Sequence, residues 1–468
     1  MDKKLFFFIA ITLLFNGCAP KMLSKKIEQF KFPPLPETTL PSYTKEVLPN
    51  GLTLILMEDH SLPLINFYST IKTGTKYDPE EKIGLASITF DTIRTGGAGD
   101  ISGDNIDKTL ENFGARLSFG VGKDIGWAQG LIDTDNFTHI FPIFVALLKQ
   151  PSFDKTKIEL SKIRHNTAIS RRDDDIDEIS NREFRKLLYG TKSPYARTIE
   201  YETIKNITQD DIFQFHKTFF QPQNIILGVW GDFDKDEMLQ YIKKEFKTWS
   251  PEKVPIPSAP EIDFAINPST TNLIIKKEAT QSIIKMGHIG LRRDDPDYFT
   301  ALVISRILGA SWNSRFSKNI RQEKGLAYSA WAGFGGELGY TGTFSAGVQT
   351  KSERTLEAID LMQKEISLAS VGITDEELTV AKEGIINSEV FWSDTKDKII
   401  TRIIRYEFYG YPSDYPQKLI QGVKNVTRED IARVANKYIF PDKLTILIVG
   451  NPEKFESDLP DNINILEP

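Results

Sequence analysis

Metal and nucleophile chemistry needs His, Cys or carboxylates at set spacings, so those residues are the place to begin. The chain has five His, His60, His139, His165, His216 and His288. No two are three or four apart, so no helix face offers two imidazoles to one metal ion. A lone His usually lies on the surface or is a satisfied core residue. Asp173, Asp174, Asp175 and Asp177 form an acidic run without the spacing of a calcium loop, which fits a solvated loop or a helix end. The single Cys, Cys18, follows Asn16-Gly17. It can serve neither in a disulfide nor, if modified, as a nucleophile.

The elements around these residues set the frame. Lys3 and Lys4 precede an apolar run from Leu5 to Phe15, too short to span a bilayer. With Cys18 at its end, the segment reads as a bacterial lipoprotein signal over 1–17, with Cys18 lipidated. The alternative is an ordinary signal peptide that happens to hold a Cys. The expected location is a bacterial cell envelope, lipid-anchored to a membrane and facing the periplasm. Residues 18–42, rich in Pro and Lys, read as a tether. The chain is 468 residues long with a net charge of -6 and no basic, aromatic-interleaved stretch, which argues against nucleic acid as a partner.

A second Pro-rich stretch, SPEKVPIPSAP from Ser250 to Pro260, divides the remainder. The expected units are a domain over 43–250, a linker over 251–265 and a domain over 266–468. The two domains repeat one another. NITQDDIFQFHKTFFQPQNIILGVWG starts at Asn206, and NVTREDIARVANKYIFPDKLTILIVG starts at Asn425. A constant offset of 219 aligns Thr208 with Thr427, Asp211 with Asp430, Pro222 with Pro441 and Gly231 with Gly450. Each copy opens with Thr-x-x-Asp, a helix-capping pattern, and continues through a Pro stop into a β-rich run. Elsewhere, Leu52–Met57, Leu273–Ile275 and Ile283–Met286 have strand character. Ile106, Leu110 and Phe113 keep helical spacing up to Gly114, and Thr300–Leu308 forms an apolar helix ended by Gly309. The class implied is α+β, two tandem homologous domains, each an antiparallel sheet covered on one side by helices.

The ordered motifs resemble the M16 family of zinc peptidases, which includes pitrilysin, insulin-degrading enzyme and the mitochondrial processing peptidases. They run Pro49-Asn50-Gly51-Leu52, Gly74-Thr75, Gly84-Leu85-Ala86, Tyr189-Gly190, Pro194-Tyr195 and Gly231-Asp232. The second half continues with Asp295-Pro296-Asp297-Tyr298, Ile307-Leu308-Gly309, Ser314-Arg315 and Gly325-Leu326-Ala327-Tyr328. No piece is specific alone. Their order covers nearly the whole chain after the tether, and the resemblance implies half of a clamshell-shaped peptidase.

The family's zinc site is His-x-x-Glu-His on a helix, with a further Glu 77 residues on. The two His hold the metal and the Glu takes a proton from its water. The matching positions here are Ser87, Phe90 and Asp91, with Ala168 in the place of the last ligand. Phe90 cannot take a proton and Ala168 has no donor atom, so the resemblance implies no zinc in this chain. A second family feature is an Arg and a Tyr seven residues apart, which one half supplies to the zinc site of the other. Arg321 and Tyr328 keep that spacing. An Arg fork and a phenol hydroxyl can grip a peptide carbonyl and the oxyanion formed on hydrolysis. On residue type alone, Arg321 is as well read as a surface ion-pair residue and Tyr328 as half-buried packing.

The reading implied by the resemblance is a zinc-free subunit of a heterodimeric peptidase. Its partner is a zinc-bearing M16 subunit, its substrate an unfolded peptide, and zinc is expected on the partner alone. Two alternatives remain: a non-catalytic scaffold or peptide-binding envelope protein, and a zinc peptidase acting alone, which the missing ligands disfavour. The family's zinc-free processing subunit carries a long Gly-rich loop before Ser-Arg. Only Ala310-Ser311-Trp312-Asn313 lies before Ser314 here, so gripping by such a loop is not implied.

Overall fold

The computed structural model describes residues 41–251, 254, 257, 269–336, 338–457, 459 and 462–468. Cys18, the signal segment and nearly all of the tether lie outside the described residues, as does most of the 251–265 linker.

The order of elements used below is β1 Thr44–Val47, β2 Thr53–Glu58, β3 Leu64–Ile71, α1 Leu85–Thr95, β4 Arg116–Val121, β5 Gly126–Asp133, α2 Lys155–Arg171, α3 Ile176–Tyr189 and β6 Ile225–Gly231. The chain continues with β7 Thr270–Ile275, β8 Gln281–Ile289, α4 Tyr298–Leu308, β9 Ala327–Phe334, β10 Thr343–Lys351, α5 Asp375–Glu389, α6 Lys396–Tyr409, β11 Thr445–Gly450 and β12 Ile463–Leu466. The strands make two six-stranded sheets, ordered β1-β2-β6-β3-β5-β4 and β12-β7-β11-β8-β10-β9. Five strands of each sheet occupy matching places, β2 with β7, β6 with β11, β3 with β8, β5 with β10 and β4 with β9.

The α+β architecture expected from sequence is what the chain adopts, with two refinements. The sheets are mixed rather than wholly antiparallel: β2 pairs with β6, β7 with β11 and β12 with β7 in parallel. The long connections between these strands permit parallel pairing, which a tight hairpin cannot supply. Helices also cover both faces of each sheet. The second face of the first sheet, at Ile55, Met57, Ile226 and Trp230, packs on Ile399, Ile400, Ile403 and Ile404 of α6. Conversely, Ile179, Phe184 and Leu188 of α3 pack on Ile274, Ile289, Leu447 and Val449 of the second sheet. Helices α3 and α6 stand at equivalent places in the repeat, so each half lends the other one helix. The sequence cause is that β6 and β11 are continuous apolar runs, IILGVWG and TILIVG, buried along their whole length. At Gly228 the approach is so close that a Cβ would meet Ile404 at 2.4 Å.

The repeated caps form as their sequences require. Thr208 Oγ1 accepts from the Asp211 amide at 3.2 Å, and Asp211 returns a bond to the Thr208 amide at 2.9 Å. Thr427 and Asp430 do the same, both at 3.1 Å. Such a box satisfies two orphan helix amides at once.

Candidate functional site

Helix α1 carries three of the four positions matched to the zinc motif. Gly84, at φ +109°, turns the chain into the helix. The Asp78 carboxylate accepts from the amides of Gly84 and Ala86 at 2.8 and 2.9 Å, closing the helix start. Burial pushes the Asp78 carboxyl up to about 6, against the opposing pull of those two amides.

The four positions have separate environments. Ser87 is half-buried, Ala168 on α2 is exposed, and Asp91 faces α2. Phe90 points the other way. It is 2 % exposed, lies 5.3 Å from the Phe220 ring, and fills the space over Gly126, where a Cβ would meet its Cζ at 2.3 Å. The position that must hold a base in the zinc motif is therefore part of the hydrophobic core.

Asp91 is engaged by α2. Its Oδ2 accepts from Ser161 Oγ at 2.7 Å and from His165 Nε2 at 3.1 Å, and Arg164 stands 3.9 Å away. Burial alone would raise the Asp91 carboxyl. The His165 and Ser161 hydrogen bonds, with the charge of Arg164, hold it below the usual carboxylate value. The sequence shows His165 only as a lone His, because its partner is distant in the chain. The remaining four His have structural surroundings. His60 meets Asp232 at 2.7 Å, His139 stacks on Phe113, and His216 donates to the Leu148 carbonyl at 3.0 Å. His288 bonds the Ile289 carbonyl at 2.9 Å and accepts from the Phe440 amide at 3.1 Å. In the acidic run, Asp175 caps α3 and Asp173 pairs with Arg182 at 2.6 Å, the helix-end role its composition suggests.

This donor set does not fit zinc. Asp91 and His165 are hydrogen-bonded to each other, Phe90 is turned into the core, and Ala168 offers nothing. Among the described residues no group of three His, Cys, Asp or Glu side chains could hold a metal ion.

Arg321 and Tyr328 are brought together in the second half. Arg321 lies in a wide π-helical segment, Phe316–Glu323, anchored by buried Phe316, Ser317 and Ile320. Gly325, at φ +58°, then turns the chain into β9. The Arg321 guanidinium sits 5.5 Å from the Tyr328 ring centre and 4.1 Å from that of Trp312. Tyr328 is 81 % exposed and Trp312 65 %. Gln322 donates to the Trp312 carbonyl at 3.0 Å, tying the Trp loop to the Arg segment. A cation flanked by two aromatic rings has fewer free rotamers, and its N–H groups stay available for an acceptor. Trp312 escaped the motif reading because it lies in the short Ala310–Asn313 loop, outside the seven-residue spacing.

Comparison with known proteins follows the same lines. The model of the peptidase M16 inactive domain matches residues 206–385. A protein named non-peptidase homolog YmxG, from Helicobacter pylori, is 21 % identical over 416 residues, covering 88 % of this chain and 94 % of its own. A probable mitochondrial-processing peptidase subunit beta from Schizosaccharomyces pombe is 22 % identical over 441 residues, covering 89 % and 93 %. The solved peptidase M16 inactive domain from Pseudomonas fluorescens superposes with a TM-score of 0.77 at 21 % identity, over 88 % of this chain and 98 % of that one. The chain is similar to M16 peptidase-family proteins over nearly nine-tenths of its length. Here the positions matched to the zinc motif hold a hydrogen-bonded carboxylate and a core phenylalanine.

Proposed function

We propose that the chain is the zinc-free half of a two-chain M16-type peptidase. A zinc-bearing M16 subunit would be its partner and an unfolded peptide the shared substrate. The observation that carries this reading is the exposed cluster of Arg321, Tyr328 and Trp312 in a chain whose own metal positions do not fit zinc. In this reading Arg321 and Tyr328 donate hydrogen bonds to the carbonyl oxygen under attack and to the oxyanion that follows, while Trp312 keeps the guanidinium aligned. The relatives named as processing-peptidase subunits support it.

The test is peptide cleavage by the chain purified with a zinc-bearing M16 partner. Arg321→Ala and Tyr328→Phe are expected to lower kcat/KM by roughly ten- to a thousand-fold, the range for one lost oxyanion donor. Trp312→Ala should give a smaller loss. Unchanged turnover in both the Arg321 and the Tyr328 variants would sink the catalytic role. A second reading, a peptide-binding scaffold without catalysis, draws support from the relative named a non-peptidase homolog. It predicts peptide binding with no cleavage beside any zinc-bearing partner. The proposal includes an anchor on Cys18 at a bacterial envelope membrane. Cys18→Ala should move the chain from the membrane to the soluble fraction, and retention at the membrane would remove that part.

A further inference from the structure

A cavity of about 510 Å³ opens in the second half, bounded by α4, α5 and α6. Its volume is in the range of small-molecule sites, roughly 300–1,000 Å³. Leu302, Leu338, Ile385 and Leu419 give it apolar walls, and the ring of Trp392, 60 % exposed, stands at its rim. Two guanidinium groups reach the same space and are treated differently by the fold.

Arg402 is neutralised from within the chain. Its Nη2 meets Glu389 at 2.6 Å, and its Nε donates to the Tyr406 hydroxyl at 2.8 Å. Arg293 has no carboxylate partner among the described residues and is set between tyrosines, with the Tyr415 hydroxyl as a polar neighbour. Its guanidinium lies 5.6 Å from the Tyr298 ring centre and 5.8 Å from that of Tyr415. Its Nε is buried and has no hydrogen-bond acceptor, and among the described residues no carboxylate pairs with it. Aromatic faces attract a cation by about 0.5–2 kcal/mol but carry no net charge. A permanently charged, half-buried guanidinium is favoured by a counter-charge. The carboxylates at the cavity have partners other than Arg293, Glu389 being paired with Arg402. Lys398 is taken by Asp394 at 2.9 Å, and the carboxylate of Asp397 by the Trp230 indole N–H at 2.5 Å.

We propose that this cavity binds an organic carboxylate with an apolar tail, its carboxylate on Arg293 and its tail along Leu302, Ile385 and Leu419. The carboxylate would pair with the part of the Arg293 guanidinium that faces the cavity, and the tail would displace water from apolar walls. Two sources share this chemistry, a fatty acid and the free C-terminus of a peptide ending in an apolar residue. The inference stands independently of the role assigned to Arg321 and Tyr328.

The experiment is isothermal titration of the full chain with decanoate and with acetyl-Leu-Leu as the free acid, beside decanoate methyl ester and acetyl-Leu-Leu amide. At least one acid is expected to bind, with its uncharged counterpart weaker by about tenfold or more. The tighter acid identifies the source. Arg293→Gln should weaken the acid by about tenfold or more and leave the uncharged counterpart unchanged. Ala310→Trp, at an exposed position on the cavity wall, should block binding while Arg293 remains intact. It serves in place of the Arg293 variant should that one fail to fold. Failure of both acids at about 1 mM would overturn the proposal, since such a site would be weaker than about -4 kcal/mol. So would acids and their uncharged counterparts binding within about twofold of one another.

Discussion

Placing a Glu at position 90 should unfold or severely weaken the protein, although position 90 is where the zinc motif requires its base. The Phe90 ring is 2 % exposed, packs 5.3 Å from Phe220 and occupies the space over Gly126. Removing a buried Phe ring costs about 3–5 kcal/mol through lost transfer energy and the cavity left behind. A Glu there must in addition either bury a charge or take up a proton, so Phe90→Glu should lose at least about 4 kcal/mol. Domains have a total of about 5–15 kcal/mol, so this is a large share. The other three positions behave otherwise. Ser87 is half-buried and Ala168 exposed, and Ser87→His and Ala168→Glu should each stay within about 1 kcal/mol of the parent. Asp91→His gives up hydrogen bonds from Ser161 and His165 and should cost about 1 kcal/mol. The assay is urea unfolding followed by far-UV circular dichroism at pH 7, comparing the three single variants with Phe90→Glu. Loss of less than about 1 kcal/mol in Phe90→Glu would show that the ring is not a core group and would refute the reasoning.

Two further tests follow. Gly126→Ala places a methyl 2.3 Å from Phe90 Cζ and 2.8 Å from Thr73 Cγ2, and should destabilise by about 1–3 kcal/mol. Phe90→Leu should recover part of that loss, and a double-mutant cycle with coupling of about 0.5 kcal/mol or more checks it. His216 is held neutral by burial, its titration moved down from 6.5 to about 4, with only the Leu148 carbonyl opposing. The unfolded chain takes up this proton below about pH 6.5 and the native one only near pH 4. The His216 contribution should therefore fall as the pH drops across that window, by about 3 kcal/mol in total, against the opposite contribution of Asp78, so His216→Gln should shift the slope measured by urea unfolding between pH 7 and 4.5 toward greater stability at low pH.

Legibility in the sequence tracked the range of the interactions. The caps at Thr208 and Thr427 are set by residues three apart, and both form where the repeat places them. The helix Gly103–Asn112, ahead of Gly114 at φ +61°, and α4 up to Gly309 are likewise local. What a linear reading missed depends on long-range packing. His165 is ordinary until α2 lays it on Asp91, and Trp312 is a loop residue until the turn at Gly325 brings Tyr328 back beside Arg321. The exchange of α3 and α6 was hidden for the same reason, although the unbroken apolar runs of β6 and β11 carried its trace. A strand that alternates apolar and polar residues has one dry face, whereas these two have none.

That exchange bears on why a half without a zinc site persists. Strand β11, in the sheet that carries Tyr328 on its edge strand β9, has Leu447 and Val449 covered by Ile179, Phe184 and Leu188 of the first half. Take the first half away and those side chains lose their cover, at roughly 1.5–3 kcal/mol for each fully buried aliphatic group. Two or three such groups are comparable with the whole stability of a small domain. The converse holds for Ile55, Met57, Ile226 and Trp230 without α6. The first half, whose zinc-motif positions do not fit a metal, therefore still has work in the fold. It completes the sheet on which Tyr328 is mounted, and substitutions at Ser87 and Ala168 leave that packing untouched. Residues that do not fit zinc at positions 87, 90, 91 and 168 and an ordered Arg321–Tyr328 pair are compatible, because the surfaces by which the first half packs on the second sheet are made of other residues.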